Sequence, residues 1–198
     1  MNELRQGWRI FFTGVGGQGT LLATRILGEA ALLADVQVVV SEIHGMAQRG
    51  GVVESAVLLG SLHSPTIADG EADILMGFEP LETIRALRKC SERSLVISST
   101  SPIVPFTVSS GRARYPEVAD MMASVARRVG RLVAYDARAL ARHAGAELAI
   151  NTVLLGTLMR HGDLPFGTDV VERAIRLRTK GPILDINLKA FQLGYEVE

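Results

Sequence analysis

Trp8-Arg-Ile-Phe-Phe-Thr13 runs directly into Gly14-Val-Gly-Gly-Gln-Gly19, and Thr20 to Leu33 follows with leucine, isoleucine and alanine. The first run is short, β-rich and stopped at a glycine, so it predicts a strand. The third carries Leu21, Leu22, Ile26, Leu32 and Leu33 on a broad apolar face, which predicts a helix. Between them lies G-x-G-x-x-G, placed where a strand hands over to a helix. Gly14 permits the tight turn, and Gly16 and Gly17 let backbone amides come close to a ligand. Gln18 sits among them, and Gly19 lets the helix pack against the strand. The helix N-terminus then favours an anion. A lysine is missing where Thr20 stands, so this is not a nucleotide-hydrolase phosphate loop.

The stretch downstream modifies that opening. Val36 to Val40 is β-branched at every position but Gln37, as in a strand covered on both faces. Glu42-Ile-His-Gly-Met-Ala-Gln-Arg-Gly-Gly51 follows, and Val52 to Leu59 resumes as a strand. A parallel crossover takes a dozen residues or more, usually with a helix. The gap from Val40 to Val52 is shorter. These two strands are therefore expected to pair antiparallel or lie apart, which makes the sheet mixed. A dinucleotide-binding half would place a full helix here. In the gap stand Glu42, His44, Gln48 and Arg49, with Gly45, Gly50 and Gly51 loosening the backbone. Taken singly, His44 reads as a hydrogen-bonded structural residue and Arg49 as a solvated loop charge. Beside a glycine-rich helix N-terminus, however, Arg49 could grip a phosphate or carboxylate bidentately. If the two segments converge, they form an anion-binding cleft.

The remainder keeps the strand–helix rhythm. Asp73 to Phe78 predicts a strand, Pro80 opens a helix over Leu81 to Cys90, and Ser94 to Ser98 is another strand. A helix is expected from Pro116 to Gly130, then a strand over Leu132 to Tyr135. Asp136 can N-cap a helix that Gly145 ends. Helices about Ala146 to His161, Thr168 to Lys180 and Ile183 to Leu193 complete the chain, the last closed by Gly194. Leu148, Ile150, Val153, Leu154, Leu155 and Leu158 form a core stripe wide enough to serve also as a partner-facing surface. Met121 and Met122 read as filler. Glu79 and Glu82 read as charges complementing a helix start rather than as an acid–base pair. The expected fold is a three-layer α/β/α single domain over residues 1–198, with a mixed, mostly parallel sheet.

Composition narrows the function. The 198 residues are 47% hydrophobic and 21% charged, with 21 basic and 21 acidic side chains and a net charge of +0. That balance leaves no electrostatic footprint for nucleic acid. One cysteine, Cys90, excludes an internal disulfide and a cluster held by four thiolates of this chain. No uninterrupted apolar run approaches the length of a membrane span, and the first residues do not resemble a signal peptide. A reduced, cytoplasmic protein is expected. His44, His63, His143 and His161 lack metal-ligand spacing, and no nucleophile elbow occurs, so no catalytic or metal-binding residue is assigned.

Gly14-Val-Gly-Gly-Gln-Gly19 together with Ser41-Glu-Ile-His-Gly-Met-Ala-Gln-Arg-Gly-Gly51 resembles the gamma-type subunit, or domain, of the 2-oxoacid:ferredoxin oxidoreductases. His44-Gly45-Met46 with Gln48-Arg49-Gly50-Gly51 is most similar to the indolepyruvate branch. The resemblance extends to Asp73-Ile-Leu, to Phe78-Glu-Pro-Leu-Glu82, to Asn151 with Leu155-Gly156, and to Asn187-Leu-Lys-Ala-Phe-Gln-Leu-Gly194, covering nearly the whole chain. It implies one component of an enzyme that oxidatively decarboxylates an arylpyruvate, passing the acyl group to coenzyme A and electrons to ferredoxin. Thiamine diphosphate, Mg and iron–sulfur clusters would sit in a large companion subunit, with none bound by this chain alone. The residues implied at the cofactor-facing cleft are Gly14, Gly16, Gly17, Gln18, Gly19, Glu42, His44, Gln48, Arg49, Gly50 and Gly51. Consistently, the thiamine signature Gly-Asp-Gly is absent, Asp69-Gly70-Glu71 being the nearest string. Homodimer formation by the isolated chain stays open. Two rival readings remain: a self-contained NAD(P)- or FAD-binding oxidoreductase, and a non-catalytic assembly module.

Overall fold

A computed structural model of the protein describes residues 7–43, 51–62 and 64–198. The elements run β1 (Gly7–Val15), α1 (Thr20–Leu33), β2 (Val38–Ile43), β3 (Val52–Gly60), β4 (Ala72–Gly77), α2 (Pro80–Ala86), β5 (Cys90–Ser99), α3 (Phe106–Ser109), α4 (Val118–Ala126), β6 (Arg131–Tyr135), α5 (Ala137–Ala144), α6 (Ile150–His161), α7 (Thr168–Arg178) and α8 (Pro182–Tyr195). The six strands form one sheet in the order β2-β3-β1-β4-β5-β6. β1, β4, β5 and β6 are mutually parallel, whereas β3 pairs antiparallel with both β1 and β2. The sheet is therefore mixed and mostly parallel, and the short gap after β2 does produce an antiparallel return. A dinucleotide-binding half would set its second strand parallel beside its first; here β3 occupies that place, which removes the fold basis of the nicotinamide or flavin alternative.

Alternation along β1 builds both sides of the core. Ile10 and Phe12 face a large cluster with Ile26 and Leu27 of α1, Val153, Leu154 and Leu158 of α6, and Phe191 of α8. Phe11 points the other way, to Leu58, Leu75, Val96, Met122 and Val125 beneath α2 and α4. All three β1 residues are almost fully buried, as expected of a central strand covered on both faces. The layers are thus helix, sheet and helix. The core stripe of α6 is buried from Ile150 to Leu158, while Leu148, on the single 3₁₀ turn before it, stays 73% exposed.

Several boundaries differ from the sequence reading, each for a local reason. The helix after Pro80 stops at Ala86, tightens into a 3₁₀ turn over Leu87–Lys89, and Cys90 begins β5 opposite Ala72. The apolar spacing through Leu87 fits helix and strand equally, and the β4 ladder decides. The Pro116 helix starts at Val118 and ends at Ala126, well before Gly130. Gly130 instead admits a close pass: a Cβ there would lie 2.8 Å from the carbonyl of Glu92. Gly194 lies inside α8 rather than closing it. The single-turn α3 carries no strong sequence signal. Asp136 does cap α5, accepting from the Ala139 amide at 2.9 Å, and Gly145 follows that helix at φ +127°.

His161 ties the end of the chain to the sheet. Arg131 Nη2 lies 2.9 Å from its Nδ1, and Val197 O lies 2.9 Å from its Nε2. A guanidinium only donates, so Nδ1 accepts and Nε2–H donates to Val197. Burial, with Arg131 and Arg160 nearby, holds this imidazole below its ordinary value. A lowered folded value means that the unfolded chain takes up the proton first, so stability is present above the ordinary histidine range and is lost as pH falls through it. The expected result is a falling melting temperature from pH 7.5 to about pH 5, with a flatter profile in His161→Gln. Parallel profiles for the two proteins would refute it.

Candidate functional site

β1 and β3 stay paired to the last residue, Val15 opposite Val52. That register brings Gly51, which leads into β3, against the turn after β1. The contact is direct: the Gly16 amide donates to the Gly51 carbonyl at 2.9 Å. Gly51, at the entry to β3, therefore meets the glycine turn at the carboxyl edge of the parallel strands. His44, Gln48, Arg49 and Gly50 lie outside the described residues. Glu42, the penultimate residue of the edge strand β2, pairs with Arg25 of α1 at 3.3 Å. It lines neither of the clefts described below.

Each glycine of the turn has its own demand. A Cβ at Gly14 would lie 2.8 Å from Phe78 Cβ and 2.9 Å from Gln18 Oε1, so the strand end has no room for a side chain. Gly17 adopts φ +103° with open space around it. Gly19 adopts φ +77°, and a Cβ there would lie 2.7 Å from Asn151 Nδ2. Gln18 is spent inside the protein. Its Oε1 accepts from the Val15 amide at 2.8 Å and its Nε2 donates to the Phe78 carbonyl at 2.8 Å, tying the turn to the end of β4. Asn151, at the start of α6, reaches the Gly19 carbonyl at 3.4 Å.

α1 begins at this turn with Gly19 as its N-cap, no side-chain cap and no acid in its first turn. The leading amides of a helix have no intrahelical acceptor and carry the positive end of its dipole. Thr20, the first helical residue, is buried, and its Oγ1 has no hydrogen-bond partner. Thr13 Oγ1 on β1 and Ser55 Oγ on β3 are likewise buried without one.

Two clefts open on this edge. The smaller, about 240 Å³, runs from Gly16, Gly17 and Gln18 to Ile103, Arg138, Glu147, Leu148 and Ile150. Arg138 pairs with Glu147 at 3.1 Å. The larger, about 660 Å³, lies between Val15, Gly51 and Val52 on one side, Glu79, Leu81, Glu82 and Arg85 at its floor, and residues 103–108 and 113–116 on the other. Ile103 borders both. Glu82 is buried beside Arg85 at 2.7 Å; burial pushes its carboxyl above the ordinary value against the pull of that guanidinium. Phe106, 77% exposed, and Val104 and Val52 leave a largely apolar rim.

Glu79 caps α2 through the Glu82 amide at 3.0 Å, matching its reading as a helix-start charge. Sequence reasoning missed the rest of its role. It also accepts from the Ile103 amide at 3.2 Å and from the Tyr115 hydroxyl, contacts across more than twenty residues of chain that local spacing does not reveal. The 103–116 wall was equally illegible, carrying no helical or strand periodicity between its punctuation at Pro105, Gly111 and Pro116.

The chain's lone thiol does not suit a cluster. Cys90 begins β5 partly buried, and burial pushes its thiol up to about 11. Among the described residues no group of three or more histidine, cysteine or carboxylate side chains could hold a metal. No helix among them is long and apolar enough to cross a membrane.

By sequence, residues 9–197 match the family described as pyruvate ferredoxin/flavodoxin oxidoreductase. The indolepyruvate oxidoreductase subunit IorB of Archaeoglobus fulgidus is 41% identical over 186 residues, covering 94% of this chain and 92% of that protein. The gamma subunit of a keto/oxoacid ferredoxin oxidoreductase from Geobacter sulfurreducens superposes with a TM-score of 0.71 at 25% identity, covering 98% and 97% of the two chains. A 2-oxoglutarate:ferredoxin oxidoreductase from Magnetococcus marinus, solved with 2-oxoglutarate, coenzyme A and succinyl-CoA, shares the fold at a TM-score of 0.71 and 17% identity; the match covers 98% of this chain and 31% of that one. The gamma-type resemblance is borne out by sequence and by fold, and the chain belongs to the pyruvate ferredoxin/flavodoxin oxidoreductase family.

Proposed function

We propose that this chain is the small subunit of an indolepyruvate-type ferredoxin oxidoreductase, and that its carboxyl-edge cleft receives the diphosphate of coenzyme A. The 2-oxoacid is oxidised to the acyl level, carbon dioxide leaves, the acyl group passes to the coenzyme A thiol and the electrons pass to ferredoxin. A large partner subunit would supply thiamine diphosphate, Mg and the iron–sulfur clusters; for the clusters, one partly buried cysteine lacks the thiolates needed. The names of the relatives and the ligands of the Magnetococcus protein support the reaction class.

One observation carries the assignment of the site: α1 starts without a side-chain cap, and the turn leading into it both bonds Gly51 through the Gly16 amide and lines a cleft with Gly16, Gly17 and Gln18. Bare amides at a helix N-terminus bind phosphate oxygens. Arg49, next to Gly50 and Gly51 in sequence, belongs to the same proposed site with His44 and Gln48; Glu42, paired with Arg25 and lining neither cleft, does not. Gly14, Gly16, Gly17, Gln18 and Gly19 shape the turn. The apolar rim of Val52, Val104, Phe106 and Leu148 would then be covered by the large subunit.

Gly17 gives the cleanest test, because a side chain there meets open space and Asn and Asp tolerate positive φ alike. In the complex reconstituted with the large subunit, Gly17→Asp is expected to raise the KM for coenzyme A about tenfold through like-charge repulsion, against less than about threefold for Gly17→Asn. Equal effects would overturn the anion assignment. A selective rise in the thiamine diphosphate requirement would move the diphosphate to that cofactor.

A further inference from the structure

We propose that Glu79 is a positioning residue, whose buried carboxylate pins both ends of the 103–116 strap and so fixes one wall of the cleft against the glycine turn. The inference rests on the coenzyme A reading above. The strap has no strand pairing, and α3 is its single helical turn. The backbone bonds of its middle close on itself, from Val108 and Ser109 to Pro105 and from Arg112 and Ala113 to Thr107. Most of its residues are exposed, with Phe106 the most prominent. Such a segment has few contacts to hold one geometry.

The carboxylate supplies two of those contacts at the right places. Glu79 is 1% exposed, and its Oε1 receives both the Ile103 amide at 3.2 Å and the Tyr115 hydroxyl, while Oε2 receives the Glu82 amide at 3.0 Å. An ionised carboxylate is acceptor-only, so all three donors are satisfied together. Burial and the Glu79 carboxylate hold the Tyr115 phenol well above its ordinary value, so it stays a donor.

The other wall is wired to the same turn. Phe78 precedes Glu79; its amide donates to the Thr13 carbonyl at 2.9 Å, and its carbonyl takes the Gln18 amide at 2.8 Å. Through Phe78 and Glu79 the glycine turn and the strap share one rigid corner. Ile103, whose amide Glu79 holds, borders both clefts. A shift at Glu79 therefore moves the wall without touching the anion site itself.

The test uses the reconstituted complex and coenzyme A. Tyr115→Phe removes one hydrogen bond to a charged group and is expected to raise the KM for coenzyme A roughly fivefold, with kcat within about twofold and subunit affinity unchanged. Hydrogen exchange over residues 104–114 should quicken in the same complex. Glu79→Gln cannot accept from all three donors and should raise that KM more than about tenfold. Adding Tyr115→Phe to Glu79→Gln should cost less than it does in the parent protein, because the charged acceptor that strengthens the bond is already gone. An unchanged KM in Tyr115→Phe, unchanged exchange, or additive effects in the double variant would each overturn the proposal. The underlying reading fails separately, through Gly17→Asp.

Discussion

Gly194→Ala is expected to unfold this protein more readily than any surface change, by about 3 kcal/mol or more. α6 and α8 cross with their backbones in contact. A Cβ at Gly194 would lie 1.8 Å from the Val153 carbonyl oxygen and 2.7 Å from its carbon. Across the same crossing, a Cβ at Gly156 would lie 2.0 Å from the Phe191 carbonyl oxygen. Neither obstacle is the end of a flexible side chain, so the helices must separate. Separation would also break the bond from Thr157 Oγ1 to the Gly194 carbonyl at 2.9 Å and loosen Phe191 in the core. For a chain of this size the melting temperature should fall by roughly 10 °C. Gly28→Ala is the control. It sits inside α1, its new methyl would meet only Val40 Cγ2 at 3.0 Å, and alanine gains about 0.5–1 kcal/mol over glycine in a helix. A Gly194→Ala protein melting within a degree or two of Gly28→Ala would refute the close crossing.

Gln18→Ala should be nearly as costly and should reach function as well. The amide of Val15 and the carbonyl of Phe78 both lose their partner, and both residues are buried. Two unsatisfied groups at about 1–3 kcal/mol each give a loss on the order of 2–6 kcal/mol. Because the same side chain braces the glycine turn, the KM for coenzyme A should rise too. Gln18→Glu separates the two bonds. Its side chain can still accept from Val15, but it must be protonated to donate to the Phe78 carbonyl. Its folded value is then raised above the unfolded one, so stability is present at low pH and is lost as pH rises through the folded value. Thermal melts of Gln18→Glu at pH 5 and pH 8, compared with the parent protein, check the sign; a variant relatively more stable at pH 8 contradicts the assigned geometry.

Much of this arrangement is written locally. Trp8–Thr13, Thr20–Leu33 and Val52–Leu59 are legible as single elements, and a gap too short for a crossover rules out a parallel return, leaving the structure to choose antiparallel pairing over separation. Cys90 shows where such reading stops. The Leu81–Leu87 spacing permits a longer helix, but pairing of Cys90 with Ala72 competes for the same backbone groups and wins. Gly194 shows a second limit. A glycine after a helical run signals a helix end equally well as a close helix crossing, and only the partner helix distinguishes them.

By itself the sequence determined the α/β class, the mixed sheet, the glycine turn at the head of α1 and the likeness to the family, because these depend on periodicity, chain length and local backbone freedom. Tertiary structure alone decided that Gly16 meets Gly51, that Gln18 faces inward, and that Glu79 reaches Ile103 and Tyr115. Those contacts join residues far apart in the chain. Their partners are selected by strand register and burial, which no local pattern encodes.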